Sequence, residues 1–375
     1  MSIPLSSPDI AEEDINAVVE VLRTRHLSLG PKLAEFEEAM AKYIGTKHAV
    51  AVSSGTAALH LCIRALGITE GDEVITTPFS FIASSNCILF EHATVRFVDV
   101  LPDTLCIDPA QVEAAITPKT KAILAVDIFG YLADWSALRD IAERHNLALL
   151  EDSCEAIGSR RGDVMAGAFA DCGTFAFYPN KQMTTGEGGM MVTNRDDIAE
   201  AARMQRNQGR NENSAWLDHP VLGFNYRISD INCALGISQL NHLPDRNAKR
   251  SRVASWYGEK LASLKEHLHV PSPQEGVDIS WFVYVVRLAD KYTAKDCHQI
   301  IEYLRKNGIG CSNYFPCIHL QKFYKELYGY KGGEFPIAES ISDRSLALPF
   351  SSLITEEEVA QIASILENYF SQASS

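Results

Sequence analysis

Residues 177–190 read FYPNKQMTTGEGGM, a lysine set between aromatic residues and a block with three glycines in four positions. A lysine on a solvated helix face needs no such company. Lys181 is therefore a candidate anchor for chemistry, the plain alternative being a phosphate-contacting or surface lysine. The GEGG block is not a dinucleotide fingerprint: the six-residue glycine spacing is missing, and strand-like MMVTN follows it where a helix would be required.

Two further stretches carry chemistry-bearing residues. VSSGTAALHL (52–61) joins an apolar run to a helix start, and its small residues let backbone N–H groups approach an anion at the positive end of a helix. Gly55, Thr56 and Ala57 lie at that end, although a simple Ser/Thr cap reads the same way. LLEDSCEAIGS (149–159) is a buried strand that ends in acids, where ligands sit in open α/β folds. Asp152 there is placed to accept a hydrogen bond from a cationic ring nitrogen; the alternative is a solvated acid or a cap for the next helix.

The elements that must position these residues alternate at short intervals. HAVAV, DEVITT, TVRFVDV, KAILAVDI, LALLED, CGTFAF and GMMVTN are strand candidates, with amphipathic stretches such as DWSALRDIAERHN between several of them. Asp108 and Pro109 in CIDPAQVEAAI are a helix cap and first-turn proline. This alternation predicts an α/β fold, with a large domain whose mostly parallel sheet is covered by helices on both faces. Residues 196–260 read as helices joined by the polar stretch NQGRNENSAWLDHP. Beyond about residue 250 the pattern resets, with strand-like SWFVYVVRLA, the capped helix TAKDCHQIIEYLRKNG and a last helix in which Thr355 and Glu358 have capping-box spacing. The expected division is a large domain over 1–250 and a smaller α/β domain over 251–375, closely packed because no low-complexity linker separates them.

The chain has 375 residues, 46% of them hydrophobic, and a formal net charge of −14. That charge speaks against nucleic acid or an anionic membrane as the main partner. The nine cysteines show no CxxC spacing, so no zinc or redox pair is signalled, and their odd number in a chain of this size points to reduced thiols and a cytoplasmic location. The acidic N-terminus lacks the basic and apolar regions of a signal peptide, and no run of 18 apolar residues occurs.

Taken in order, these blocks resemble the DegT/DnrJ/EryC1/StrS family of sugar aminotransferases, pyridoxal-phosphate enzymes of the aspartate aminotransferase fold. The resemblance covers almost the whole chain, from LSLGPKLAEFEEAMAKYIGTKHAVAVSSGTAALHL, GDEVITTPFSFIAS and ITPKTKAILAVDIFG through EDSCEAIGS, FAFYPNKQMTTGEGGMMVTN and LGFNYRISDINCALGISQL to GIGCSNYFPCIHLQKFY. It implies that Lys181 holds pyridoxal 5'-phosphate as a Schiff base and moves the proton after release, with pyridoxamine phosphate as the alternate cofactor form. It implies that Asp152 keeps the pyridine nitrogen protonated, that Gly55, Thr56 and Ala57 receive the phosphate, and that Phe81 and Cys154 cover the two ring faces. Asn225 matches a residue contributed to the partner subunit's phosphate, which implies a homodimer with shared sites. His319 matches a histidine near the sugar end, and Tyr178 and Tyr314 are further substrate candidates; core packing or a structural role is the alternative for each.

Three positions depart from the family pattern. Ala176 stands where many relatives have a phosphate-binding serine, Asp127 where histidine is common, and Cys154 where alanine is commoner. The implied reaction moves an amino group from an amino acid, L-glutamate in much of the family, to a keto sugar that is usually nucleotide-linked. Two alternatives share the fold: a sugar dehydratase, whose relatives replace the lysine, typically with histidine, and a non-enzymatic regulatory relative. Loops near 25–31, 207–220 and 314–320 are expected to shape the sugar pocket.

Overall fold

The computed structural model describes residues 2–211 and 218–373. All seven strand candidates of the first half join one sheet, in the order His48–Val52, Gly189–Thr193, Cys172–Ala176, Ala148–Asp152, Thr120–Val126, Glu73–Thr76, Thr94–Phe97. The last five of these pair in parallel, whereas Gly189–Thr193 runs antiparallel to both of its neighbours. The strands are continuous apolar runs because helices cover both faces; Val50, Val74, Ile75, Ile123, Leu124 and Val192 are fully buried.

Local signals set the helix starts. Asp108 accepts a bond from Ala110 N–H ahead of Pro109, and Asp134 accepts one from Ala137 N–H at the start of Trp135–His145. Thr355 and Glu358 exchange bonds of 2.9 and 3.2 Å at the start of Glu356–Ala373.

The C-terminal part is built on a three-stranded antiparallel sheet, with Tyr284–Leu288 between Leu268–His269 and Ser345–Leu348. The alternation along its central strand is decisive. Tyr284, Val286 and Leu288 enter the smaller core, while Val283 and Val285 join the core beneath the large sheet. Phe282, Cys317, Ile318 and Tyr324 join that larger core too. The helix Leu243–Lys260 runs unbroken across residue 250, and Ile3 from the N-terminal segment joins the smaller core. Among the described residues no helix is long and apolar enough to cross a membrane. All nine cysteines are free thiols, and Cys154 alone is not fully buried.

Candidate active site

Four segments meet at the C-terminal ends of the parallel strands. The first is the helix Gly55–Ala65. Ser54 caps it by accepting a bond from Ala57 N–H at 3.1 Å, so that one of the three expected phosphate donors already has a partner within the chain. The cradle at Gly55 is tight: a Cβ there would lie 2.7 Å from the Cβ of Ala176 and 3.1 Å from the Cys154 sulfur. Ala176 thus faces the helix start, where a serine would add a hydroxyl donor. A Cβ on Gly189 would lie 2.4 Å from the Ser54 carbonyl group. The last glycine of the GEGG block therefore lets the antiparallel strand press against the backbone that begins this helix.

The second segment carries the acids. Asp152 is 5% exposed; its Oδ2 accepts from Ser84 Oγ at 2.7 Å and its Oδ1 from Cys154 N–H at 3.2 Å. Ser84 is in turn hydrogen-bonded to Ser80 at 2.8 Å. These bonds fix the orientation of the carboxylate at the end of its strand. The Cys154 thiol is pushed well up by burial and by Asp152, and drawn back by the Lys181 ammonium. The expected acid and the expected anchor thus act on the same thiol from the same pocket.

The third segment is the Lys181 turn, in which Lys181 N–H donates to the Tyr178 carbonyl at 2.9 Å. Lys181 Nζ lies 3.3 Å from Glu155 Oε1 and 3.8 Å from the centroid of Phe282. Burial raises the Glu155 carboxyl above the ordinary carboxylate range, and Lys181 pulls it back down. The other Glu155 oxygen accepts from Phe129 N–H at 3.1 Å. Gln182 fastens the turn by donating to the Glu155 carbonyl at 2.8 Å and to the Ser280 carbonyl at 3.1 Å.

The fourth segment supplies aromatics. Tyr314 stacks on Phe315 at 4.7 Å and lies 6.5 Å from Phe129; its hydroxyl, raised by burial and then by Glu155, meets the Asn180 side chain. Tyr178 and Phe81 are 53% and 59% exposed, leaving two bare aromatic faces for a ligand. Asn225 is exposed as well.

His319, the expected residue at the sugar end, is enclosed by protein. It has no exposed surface, its Nε2 lies 3.1 Å from Glu339 Oε1, and the edges of Tyr330 and Phe335 close around it. Its Nδ1 has no hydrogen-bond partner, and the Glu339 contact ties it to the helix Pro336–Arg344. Of the expected pocket loops, residues 212–217 lie outside the described residues.

Glu155, Phe282 and Arg250 are not singled out by the sequence. Glu155 stands inside the EDSCEAIGS block, three residues after Asp152, and that spacing was an available signal. Phe282 and Arg250 carry none, because they meet Lys181 only through the tertiary fold.

The residues present fit pyridoxal phosphate: a lysine amine, a buried carboxylate at a strand end, and a helix start where even one methyl group would crowd the cradle. Fold and site together define a pyridoxal-phosphate-dependent aminotransferase. The chain belongs to the DegT/DnrJ/EryC1/StrS aminotransferase family, whose model matches residues 8–367. It is 38% identical over 368 residues to GDP-perosamine synthase of Caulobacter vibrioides, covering 97% of each chain. Its structure superposes on Helicobacter pylori PseC, an aminotransferase of pseudoaminic acid biosynthesis, with a TM-score of 0.93 and 30% identity over 99% of this chain and all of that one. The PLP form of Spr1654 from Streptococcus pneumoniae gives a TM-score of 0.92 at 28% identity, over 98% of this chain and 99% of that one. The activity is PLP-dependent sugar transamination.

Proposed function

We propose that the enzyme transfers the amino group of L-glutamate to the keto carbon of a nucleotide-linked sugar, in a cytoplasmic homodimer with shared active sites. The observation that carries this reading is Lys181 held beside Glu155 in the pocket that also contains Asp152. A dehydratase of this fold lacks the lysine, and Lys181 is present. When bound, pyridoxal phosphate supplies an aldehyde and an electron-withdrawing ring that holds charge from the substrate carbon.

Each residue then has a task. Lys181 anchors the cofactor and, once released, carries the proton at its Nζ. Asp152, held by Ser84, keeps a ring nitrogen protonated. The open N–H groups of Gly55 and Thr56 receive the phosphate, and Ala57 shapes that end of the helix through its bond to Ser54. Phe81 covers one ring face and Cys154 the other. Tyr178 and Tyr314 line the entrance for the sugar. Asn225, exposed on the surface, reaches the phosphate of the partner's site. The name of the Caulobacter relative supports a nucleotide-linked product. The test is release of 2-oxoglutarate from L-glutamate: release beyond one equivalent per site requires a keto sugar, and a nucleotide-linked acceptor should outperform the free sugar.

A further inference from the structure

We propose that Phe282 and Arg250 form a seat for the free ammonium of Lys181, holding it in place during the half of the cycle in which it is not joined to the cofactor. The inference rests on the function proposed above and concerns residues that this function leaves unused.

A released lysine is a flexible four-carbon chain with large rotamer freedom, and a single contact leaves it swinging. Glu155 provides one contact, at 3.3 Å. The second comes from below, where Nζ lies 3.8 Å from the Phe282 centroid, within range for a cation over an aromatic face. Phe282 is 2% exposed, so little water competes for that face.

Arg250 ties the two halves of the seat together. Its Nη2 donates to the Lys181 carbonyl at 3.2 Å, and its Nη1 donates to the Phe282 carbonyl at 3.0 Å and the Trp281 carbonyl at 3.5 Å. The guanidinium also lies over the Phe350 ring, 5.6 Å from its centroid. It is 2% exposed, and its Nε has no hydrogen-bond partner. Among the described residues no carboxylate pairs with it. Burial lowers its pKa to about 10, with Asp9 opposing. A buried cation without a carboxylate is unfavourable, yet the one present here joins the main chain of the anchor to the main chain of the ring beneath its amine. Both are positioning residues.

The test separates seating from general packing. Apoenzyme is mixed with pyridoxal phosphate, and growth of the visible band of the lysine-bound cofactor is timed. Affinity for pyridoxamine phosphate, which binds without the lysine linkage, is measured in parallel. The ammonium first gives up a proton, and the free amine then adds to the aldehyde with loss of water; Phe282→Leu leaves that amine unplaced and should slow the linkage roughly 5- to 20-fold, outweighing the easier loss of the proton, while leaving pyridoxamine phosphate affinity within about two-fold. Phe282→Tyr should restore the rate, and Arg250→Lys should slow it as leucine does. Phe282→Met repeats the test should leucine unfold the chain. Linkage at the wild-type rate in the leucine or methionine variant overturns the seat, and so does an equal loss of pyridoxamine phosphate affinity. If the wild type forms no band, the enzymatic reading falls and takes the seat with it; a normal wild type with an unaffected variant overturns the seat alone.

Discussion

Lys181 Nζ and Glu155 Oε1 lie 3.3 Å apart, in a pair whose side chains are 12% and 6% exposed. Removing one member of a buried pair leaves the other uncompensated, at a cost of about 3–5 kcal/mol. Glu155→Ala should therefore lose about 3 kcal/mol of stability in urea unfolding. Glu155→Gln keeps an acceptor for Phe129 N–H and should fold normally, while kcat falls about 10-fold, a change of about 1.4 kcal/mol in the barrier. Unchanged turnover in the glutamine variant would show that the carboxylate charge plays no part.

Asp127 makes a different prediction. Its Oδ1 accepts from Ala133 N–H and Trp135 Nε1–H at 2.9 and 3.0 Å, and its Oδ2 shares Ser153 with Glu151 at 2.8 Å to each. Glu151 also accepts from Gly167 N–H and from Phe169 N–H. Two buried carboxylates that share one serine hydroxyl need a proton between them. Burial and then the charge of Glu151 raise the Asp127 carboxyl well above its usual range. The folded chain therefore binds a proton that the unfolded chain has released above about pH 4, and its stability declines as pH rises through that window. Asp127→Asn replaces the protonated carboxyl with an amide that donates on the same side. Its Tm should exceed that of the wild type at pH 8, and the gain should vanish towards pH 4. A gain independent of pH would exclude the shared proton.

Ala176 faces the helix start, where its Cβ would meet one built on Gly55. Ala176→Ser places a hydroxyl beside the expected phosphate. A hydrogen bond to a charged group contributes about 1.5–3 kcal/mol, so pyridoxamine phosphate should bind at least about 10-fold more tightly in equilibrium dialysis. Equal affinity would put the phosphate elsewhere.

Shared sites predict complementation. Lys181→Ala and Asn225→Ala homodimers should both be weak, yet a refolded mixture contains hybrids with one intact site. About a quarter of wild-type activity should return if subunits mix at random. No recovery, with hybrids demonstrated by mass, would mean that Asn225 serves its own subunit.

Much of this was legible in the sequence because local rules wrote it. The seven apolar runs became the seven strands, and Asp108, Thr293 and Thr355 became helix caps. Lys181 and Asp152 stood out because a lysine beside glycines and an acid closing a buried strand conflict with plain folding needs. The seat of the lysine was illegible. Arg250 meets the Lys181 carbonyl across 69 residues, and nothing local to a helical RNAKRSRV separates this arginine from the exposed Lys249 and Arg252. The surroundings of His319 were illegible for the same reason: its partner Glu339 lies 20 residues further on.

The most direct test is the visible spectrum of the purified protein with pyridoxal phosphate, before and after L-glutamate. The account predicts a visible band in the wild type, absent from Lys181→Ala, that glutamate converts to a pyridoxamine-type spectrum and a keto sugar restores. A band that survives the loss of Lys181, or one that no amino acid bleaches, would contradict it.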